Sequence, residues 1–385
     1  MSRSQLGTAI VGTGFMGGVH AESLRRIGVP VVGILGSTPG KGRQAADRLG
    51  IRQSYSRFED MLTDCDVKSV HIVTPNRLHH EMVVAAITAG KHVMCEKPLA
   101  MNVSESAELV ELAAANPQLA TAVNYNLRFY PLCIEARERF HQGELGELFH
   151  VTGSYVQDWL LRNTDYNWRV LADEAGDLRA IADIGTHWLD LIYSITSAEI
   201  DSVCADLQTV HPARFRPAAE VETFAKAEDA NAEQVAITTD DYGSVLLRFR
   251  GGARATFFVS QVSAGRKNCL RFEIAGSARS VAWNSELPNQ LWIGHRDQAN
   301  ELLSRDPALL GPVARLAASY PGGHNEGYAD SFKHCFEAFY TAIEGRATND
   351  ATRYPTFIDG DREVRVCEAI LKSHQTQKWI KVQGE

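Results

Sequence analysis

The first third of the chain alternates short apolar runs with amphipathic stretches. The apolar runs are rich in β-branched residues and too short for helices, and the stretches between them have helical periodicity. This alternation predicts βαβ units and a parallel sheet. The predicted strands are Leu6–Val11, Val31–Leu35, Val67–Thr74, His92–Cys95 and Leu119–Tyr125.

The pattern changes after a predicted helix at Pro131–His141, where apolar and polar residues alternate along several longer segments. Glycine-containing turns join several of these segments, so we predict a second, largely antiparallel sheet. Its strands are expected at Phe149–Val156, Ile200–Val210, Val235–Thr239, Ser244–Arg250, Ala253–Gln261 and Leu270–Ala275, with closing helices at Glu326–Glu344 and Asp361–Ser373 and a short strand at Trp379–Val382. Arg214–Ala232 has no clear period and is predicted to be an exposed loop.

The fold class is therefore α/β, with an N-terminal doubly wound parallel sheet of the Rossmann type and a C-terminal α+β domain built on a large, mainly antiparallel sheet. The predicted domains are residues 1–125 and 126–385. Length favours two cores over one, because single cores stop growing at about 250–300 residues.

Charge and cysteine usage narrow the classes of partner. The formal net charge of -8 argues against a nucleic-acid partner. The seven cysteines form no CxxC pair, so neither a metal site nor a disulfide framework is predicted. No apolar run approaches the roughly 20 residues that span a bilayer, and no leader pattern is present at the N-terminus, so a cytoplasmic location is expected.

A glycine-rich turn follows the first predicted strand. Gly12, Gly14 and Gly17 match G-x-G-x-x-G, with Phe15 and Met16 between the last two glycines. In this context the pattern predicts a dinucleotide site, because the turn lets a pyrophosphate approach the backbone and the N-terminus of the next helix.

The end of the second strand bears on the choice of cofactor. An acidic residue usually holds the ribose 2′-hydroxyl of NAD there, but this chain has Gly36 followed by Ser37 and Thr38. These hydroxyls, with Lys41, are suited to a 2′-phosphate, so NAD(P) is predicted with a lean to NADP. A plain loop beside NAD is the alternative.

Further motifs follow the later strands. Thr74-Pro75-Asn76 with His79, and then Glu96-Lys97-Pro98, lie at predicted strand ends, which face the ligand crevice of a doubly wound sheet. The chain thereby resembles the glucose–fructose oxidoreductase, inositol dehydrogenase and rhizopine-catabolism (Gfo/Idh/MocA) family. The resemblance implies that Thr74, Pro75, Asn76, His79, Glu96 and Lys97 contact the cofactor, that Lys97 also meets the reacting hydroxyl, and that Pro98 is cis.

The second domain carries an Asp-x-Gly-x-His segment that also resembles the family. Asp183 and His187 are four residues apart and are expected to project from one face of a helix start. Histidine is suited to accept a hydroxyl proton near neutral pH, and the aspartate to orient or stabilise it. With Lys97 they are the predicted catalytic residues.

Polar and aromatic residues near these motifs are candidates for substrate binding. Aromatic rings beside amides and charged groups suit the faces and hydroxyls of a sugar. The candidates, besides the three catalytic residues, are Tyr125, Asn126, Arg128, Trp159, Trp168, Arg169 and His324.

The predicted function is an NAD(P)-dependent oxidoreductase that transfers hydride at a hydroxyl or ketone of a sugar, sugar derivative or cyclic polyol. Two alternatives stay open: a redox-assisted glycosidase that oxidises its substrate transiently, and a non-catalytic dinucleotide-binding sensor. A non-sugar substrate such as a dihydrodiol is also open. The resemblance implies a homodimer or homotetramer joined through the second sheet.

Overall fold

The computed structural model describes residues 2–218, 232–346 and 353–383. The chain divides into two compact units. The first consists of Met1–Asn126 and Ala329–Val364, and the second of Leu127–Tyr328 and Arg365–Glu385. The predicted boundary at residue 125 lies beside the division at 126/127, but nothing in the sequence pattern indicated that residues 329–364 pack with the first unit.

The first unit is built on a six-stranded parallel sheet in the order β3-β2-β1-β4-β5-β6. This is the order of a doubly wound sheet, so the predicted Rossmann fold is confirmed. The strands are β1 (Thr8–Val11), β2 (Val31–Leu35), β3 (Gln53–Tyr55), β4 (Ser69–Ile72), β5 (His92–Cys95) and β6 (Thr121–Val123). The helices are α1 (Phe15–Arg26), α2 (Pro39–Leu49), α3 (Phe58–Thr63), α4 (His79–Thr88) and α5 (Val103–Ala115).

Two later helices contribute to this unit. Helix α10 (Tyr328–Ile343) belongs to it from Ala329 onward, and α11 (Phe357–Thr376) contributes its residues up to Val364. Phe332 and Phe336 of α10 are buried, and their rings lie 6.1 and 4.8 Å from the ring of His20 on α1. The first core is therefore completed by a distant part of the chain.

The second unit is built on a nine-stranded sheet in the order β16-β15-β14-β13-β7-β12-β11-β8-β17. All its neighbours pair antiparallel except β7 and β12, so the prediction of a mainly antiparallel sheet is confirmed. Its strands are β7 (Leu148–Val156), β8 (Ile200–Gln208), β11 (Tyr242–Phe249), β12 (Arg254–Ser260), β13 (Cys269–Gly276), β14 (Ser280–Asn284), β15 (Gln290–Gly294), β16 (Glu301–Ser304) and β17 (Ile380–Lys381). Helices α6 (Pro131–His141), α7 (Ala172–Ala175), α8 (Thr186–Thr196) and α9 (Pro312–Leu316) accompany it.

Buried and exposed residues alternate along the central strands, so the sheet has one buried face and one exposed face. In β12, Ala255, Phe257 and Val259 are buried, whereas the residues between them are exposed. The buried face carries the main core of this unit, including Trp188 of α8, whose ring stacks on Phe257 at 4.5 Å between centroids.

The prediction of an exposed loop over Arg214–Ala232 is wrong at its start. Strand β9 (Ala213–Arg216) pairs with β10 (Glu233–Ala236), and Arg214 is fully buried. The segment is polar, and polar composition predicts a surface position. An arginine can nevertheless be buried when acceptors surround it, and the local sequence does not show such acceptors. Residues 219–231 of that segment lie outside the described residues. Among the described residues, no helix is long and apolar enough to cross a membrane.

Candidate active site

The glycine-rich turn connects β1 to α1. Gly12 has a φ of +119°, and a Cβ there would lie 2.6 Å from the carbonyl oxygen of Val73. A Cβ on Gly17 would lie 2.4 Å from the carbonyl oxygen of Gly12, so this glycine lets α1 pack against the turn. Gly14 caps α1 without a side-chain hydrogen bond, and Phe15 beside it is 47% exposed. The helix N-terminus and this close-packed backbone fit a dinucleotide pyrophosphate.

The end of β2 leads directly into α2. The Thr38 hydroxyl accepts a hydrogen bond from the backbone N–H of Lys41 at 3.2 Å and caps the helix. Ser37 and Thr38 are exposed and Lys41 is half-buried. Thr38 therefore has a structural task besides any contact with a cofactor.

His79 connects the turn after β4 to the segment after β5. Its buried ring places Nδ1 2.8 Å from the carbonyl oxygen of Pro98 and Nε2 3.0 Å from that of Thr74. Burial lowers the pKa of His79, and the two carbonyls oppose this shift. The peptide bond between Lys97 and Pro98 is cis, as the family resemblance implies.

Glu96 is surrounded by polar side chains inside the first unit. Its Oε1 accepts hydrogen bonds from Nε2 of His20 at 2.9 Å and Nδ2 of Asn124 at 2.5 Å. Burial raises the pKa of Glu96, but His20, Lys97 and Asn124 outweigh it and hold the pKa at about 2. The carboxylate beside Lys97 is thus ionised at neutral pH.

A chain of buried hydrogen bonds extends from Glu96 to Tyr340 on α10. His20 Nδ1 lies 2.9 Å from Nδ1 of His71, and His71 Nε2 lies 3.0 Å from the hydroxyl of Tyr340 on α10. Tyr340 in turn bonds Ser69 at 2.8 Å. Sequence reasoning missed these residues, because His20 and His71 lie 51 positions apart and Tyr340 comes 269 positions after His71.

In the second unit, Asp183 lies in a π-helical turn, Ile181–Gly185, that runs directly into α8. Its Oδ2 accepts a hydrogen bond from Nε2 of Gln261 at 2.8 Å, and its Oδ1 lies 3.4 Å from Nε of Arg169. His187, in the first turn of α8, is half-buried with its ring 6.2 Å from that of Tyr155. Single π-turns are frequent at functional sites. The predicted helix start is present, with one wider turn inside it.

The aromatic candidates of this unit have polar partners. The Arg169 guanidinium lies over the Trp168 ring at 4.4 Å, and Trp159 Nε1 donates to Gln157 Oε1 at 2.9 Å. Gln157 and Tyr155 both donate to the Oδ1 of Asn268, at 2.8 and 2.6 Å. Tyr155 and Trp159 are thereby joined by one polar chain.

The remaining candidates already have protein contacts. In the first unit Tyr125 is buried, and Asn126 donates to the Ser331 hydroxyl at 2.7 Å. In the second unit Arg128 makes a two-point ion pair with Asp190, with Nε 2.7 Å from Oδ2. His324 is exposed. Their roles in substrate binding stay predictions.

Sequence reasoning also missed a buried ionic cluster behind Asp183. Asp241 accepts hydrogen bonds on the same oxygen from Arg179 and Arg214, and all three side chains are fully buried. One of the predicted glycine-containing turns was Asp241-Tyr242-Gly243, but Asp241 is fully buried and Tyr242 and Gly243 begin β11. The only feature of the sequence that could have indicated this cluster is the pair of consecutive acids before an apolar strand.

Known proteins match along the whole chain. Residues 6–125 match the model described as the oxidoreductase family with an NAD-binding Rossmann fold, and residues 133–282 match the GFO/IDH/MocA C-terminal domain. The class of the protein is therefore an oxidoreductase with a Rossmann domain that binds a nicotinamide dinucleotide. More particularly, the chain belongs to the Gfo/Idh/MocA family.

Individual relatives cover nearly the full length. Levoglucosan dehydrogenase of Pseudarthrobacter phenanthrenivorans is 27% identical over 396 residues, covering 98% of both chains. A solved levoglucosan dehydrogenase in complex with NADH and L-sorbose has a TM-score of 0.88 at 27% identity, covering 99% of both chains. An oxidoreductase domain protein from Kribbella flavida has a TM-score of 0.88 at 31% identity, covering 99% of this chain and all of its own.

Proposed function

We propose that this protein oxidises a hydroxyl, or reduces the matching ketone, of a sugar, sugar derivative or cyclic polyol. The observation that carries the proposal is the pair Asp183 and His187, where the carboxylate accepts from Gln261 and faces Arg169 while the imidazole follows one turn later. An acceptor-only carboxylate beside a histidine suits removal of a hydroxyl proton. The full-length relatives that act on levoglucosan support this substrate class.

We assign the proton to His187. In the oxidation direction His187 accepts the hydroxyl proton, and Asp183 stays ionised and favours the imidazolium that results. Lys97, half-buried at the end of β5 beside Glu96, polarises the same oxygen. A nicotinamide dinucleotide held at the glycine-rich turn would supply the hydride acceptor, so that the substrate CH–OH would lose one hydride and one proton and become C=O.

Substrate recognition is assigned to Tyr125, Asn126, Arg128, Trp159, Trp168, Arg169 and His324. Trp168 under the Arg169 guanidinium offers an aromatic face with a cation beside it, which suits a ring that carries several hydroxyls. Cofactor binding is assigned to the following residues: Gly12, Gly14, Phe15, Met16, Gly17, Ser37, Thr38, Lys41, Thr74, Pro75, Asn76, His79, Glu96 and Lys97.

The 2′ end of the cofactor is the part in which NAD and NADP differ. Residues 36–46, directly after β2, include no acid that would repel a 2′-phosphate, and Lys41 lies in the first turn of α2. We propose that NADP binds somewhat more tightly than NAD. Titration of both decides the point, and an NAD preference above about tenfold, or about 1.4 kcal/mol, contradicts it.

A substrate screen tests the proposed reaction. Sugars, polyols and glycosides are incubated with NAD and with NADP, and two signals are followed: absorbance of the reduced cofactor and release of the anomeric group. Accumulation of reduced cofactor with a sugar or polyol is expected. Release of the anomeric group without net reduction identifies the redox-assisted glycosidase, and binding of cofactor with neither signal identifies the sensor.

A further inference from the structure

Gln261 connects the Asp183 carboxylate to a buried group of charges. Its Nε2 lies 2.8 Å from Oδ2 of Asp183, and its Oε1 lies 3.2 Å from Nη1 of Arg179. Gln261 is itself fully buried and follows directly on β12. Its backbone N–H donates to the carbonyl oxygen of Asp241 at 3.0 Å, which fixes its position from a second side.

The amide of Gln261 has a single consistent orientation. A guanidinium carries only donors, so the atom that faces Arg179 must be the amide oxygen. The NH₂ group then faces Asp183, and because an NH₂ group only donates, Asp183 Oδ2 must accept. A hydrogen bond to the charged form favours that form, so Gln261 stabilises Asp183 as a carboxylate.

The cluster behind Gln261 holds Arg179 rigidly. Arg179 and Arg214 both donate to Oδ1 of Asp241, with Arg214 at 2.6 Å, and both arginine side chains are fully buried. Gln261 therefore lies between a fixed guanidinium and the Asp183 carboxylate, with its amide oxygen towards the cation and its NH₂ group towards the anion.

The first turn of the helix that carries Asp183 is fixed by the neighbouring acid. Asp240 accepts the backbone N–H of Arg179 at 2.6 Å and that of Ile181 at 2.9 Å. Burial raises the pKa of Asp240 to about 6, although these hydrogen bonds oppose the shift. Asp240 therefore positions the backbone, while the Arg179 side chain positions Gln261.

Other polar groups also face Asp183. Arg169, in the 3₁₀ turn Trp168–Val170, lies 3.4 Å from its Oδ1, and Tyr155 of β7 is close enough that Asp183 raises the pKa of its phenol further. His187 follows on the same helix. Among the described contacts of Asp183, Gln261 differs from Arg169, Tyr155 and His187 in one respect. Its own hydrogen-bond partner, Arg179, belongs to an ionic cluster whose side chains are fully buried.

We propose that Gln261, locked by Arg179, is a positioning residue that keeps the Asp183 carboxylate ionised and correctly oriented for proton transfer. The inference rests on the proposed function for its catalytic meaning. Its structural content, that the Gln261 amide lowers the pH at which Asp183 becomes protonated, can be measured without substrate or cofactor.

The central experiment replaces Gln261 by glutamate. Gln261→Glu keeps the side-chain volume and the oxygen that faces Arg179, and it replaces only the NH₂ group by an acceptor. Two facing carboxylates share a proton, so the titration midpoint of Asp183 is expected to rise by about one pH unit or more. The readout is carboxyl ¹³C NMR of protein labelled at aspartate, with the Asp183 signal identified by its absence in Asp183→Asn.

A second variant and a control complete the test. Gln261→Leu removes donor and acceptor together and is expected to raise the Asp183 midpoint in the same direction. Gln290→Leu, on the exposed side of β15, is the matched control and leaves the midpoint unchanged. If the midpoint stays within about 0.3 pH units in both Gln261 variants, Gln261 is only a core residue and the inference is overturned.

Turnover provides an independent check. Gln261→Leu is expected to lower kcat/KM by about tenfold or more in the wild-type background, the size of a hydrogen bond to a charged group. In the Asp183→Asn background the same change is expected to cost less than about twofold, because a residue that acts through Asp183 has nothing left to act on. Equal losses in both backgrounds contradict the inference. If the wild type converts no sugar, the proposed function fails, whereas the Asp183 midpoint still decides the role of Gln261.

Discussion

His20 donates from Nε2 to Oε1 of Glu96 at 2.9 Å, inside a core where His20 is completely buried and Glu96 is 7% exposed. The bond joins the helix after the glycine turn to the strand end that carries Lys97. It also makes the ionisation of Glu96 part of the folding free energy, because the pKa of Glu96 is held at about 2 against a value of 4.5 in the unfolded chain.

The pH dependence of stability follows from this difference. A lowered carboxyl pKa contributes stability above pH 4.5 that is lost as pH falls toward 2, and about 2.5 pH units correspond to about 3 kcal/mol. Glu96→Gln is therefore expected to lower the free energy of unfolding at pH 7, with a difference from wild type that shrinks as the pH falls from about 4.5 towards 2. Urea titrations at several pH values measure it. Glu111→Gln, an exposed control on α5, should leave the curve unchanged, and a constant difference for Glu96→Gln would contradict the argument.

The second prediction concerns the predicted catalytic residues. General acid–base groups contribute about 10²–10⁴-fold, so His187→Ala and Lys97→Ala should each lower turnover by that range while dinucleotide affinity changes little. Asp183→Asn should cost less, and if both residues act on the same hydroxyl as proposed, the Lys97→Ala/His187→Ala pair should be far from additive. His141→Ala, at an exposed position, is the control. Hydride transfer in single turnovers of His187→Ala within about threefold of wild type would remove His187 from the mechanism.

The third prediction uses two adjacent glycines. A Cβ on Gly17 would lie 2.4 Å from the carbonyl oxygen of Gly12, whereas a Cβ on Gly18 meets no described atom within 4 Å. Gly17→Ala must shift the turn and should weaken dinucleotide binding by more than about tenfold, and should lower Tm. Gly18→Ala should keep affinity and raise Tm slightly, since alanine is about 1 kcal/mol better than glycine in a helix. Equal effects of the two changes would show that close packing at this turn does not support the cofactor site.

The fourth prediction concerns assembly. The exposed face of the second sheet carries Leu246 and Phe258, which are 47% and 42% exposed, and the Phe258 ring lies 6.2 Å from that of Tyr242. We expect a homodimer or homotetramer that buries this face. Light scattering of Phe258→Glu should show a smaller species than wild type, while Leu316→Glu, at a more exposed position on α9, should not. A monomeric wild type at micromolar concentration would contradict the expectation.

The sequence predicted those elements that depend on residues close together in the chain. The glycine turn, the strands around it and the alternation in β11 to β13 follow from residues a few positions apart, and all were predicted. Strand β3, of three residues, was missed because so short a run has no measurable period. The cis bond at Pro98 could be expected only through resemblance to a family.

The contacts that position Asp183 in the candidate site could not be predicted from neighbouring residues in the sequence. Gln261 follows Asp183 by 78 positions, and Asp241 follows Arg179 by 62. Each of these residues has a polar side chain, so its residue type alone predicts a position at the surface. Its burial is possible because the folded chain brings hydrogen-bond partners next to it. Arg214 is the clearest case, since the pattern around it predicted a loop.

The return of residues 329–364 to the first unit affects the order in which the protein can form during synthesis. Thr8 and Tyr340 share a hydrogen bond of 2.7 Å across 332 positions, and Phe336 packs against both His20 and His71. An emerging chain usually folds its N-terminal part first. Here the Rossmann core stays incomplete until α10 has left the ribosome, so the unit that begins the polypeptide is among the last to be finished. A fragment that ends after β6 should consequently aggregate on expression, and joining residues 329–364 to it by a linker should restore solubility.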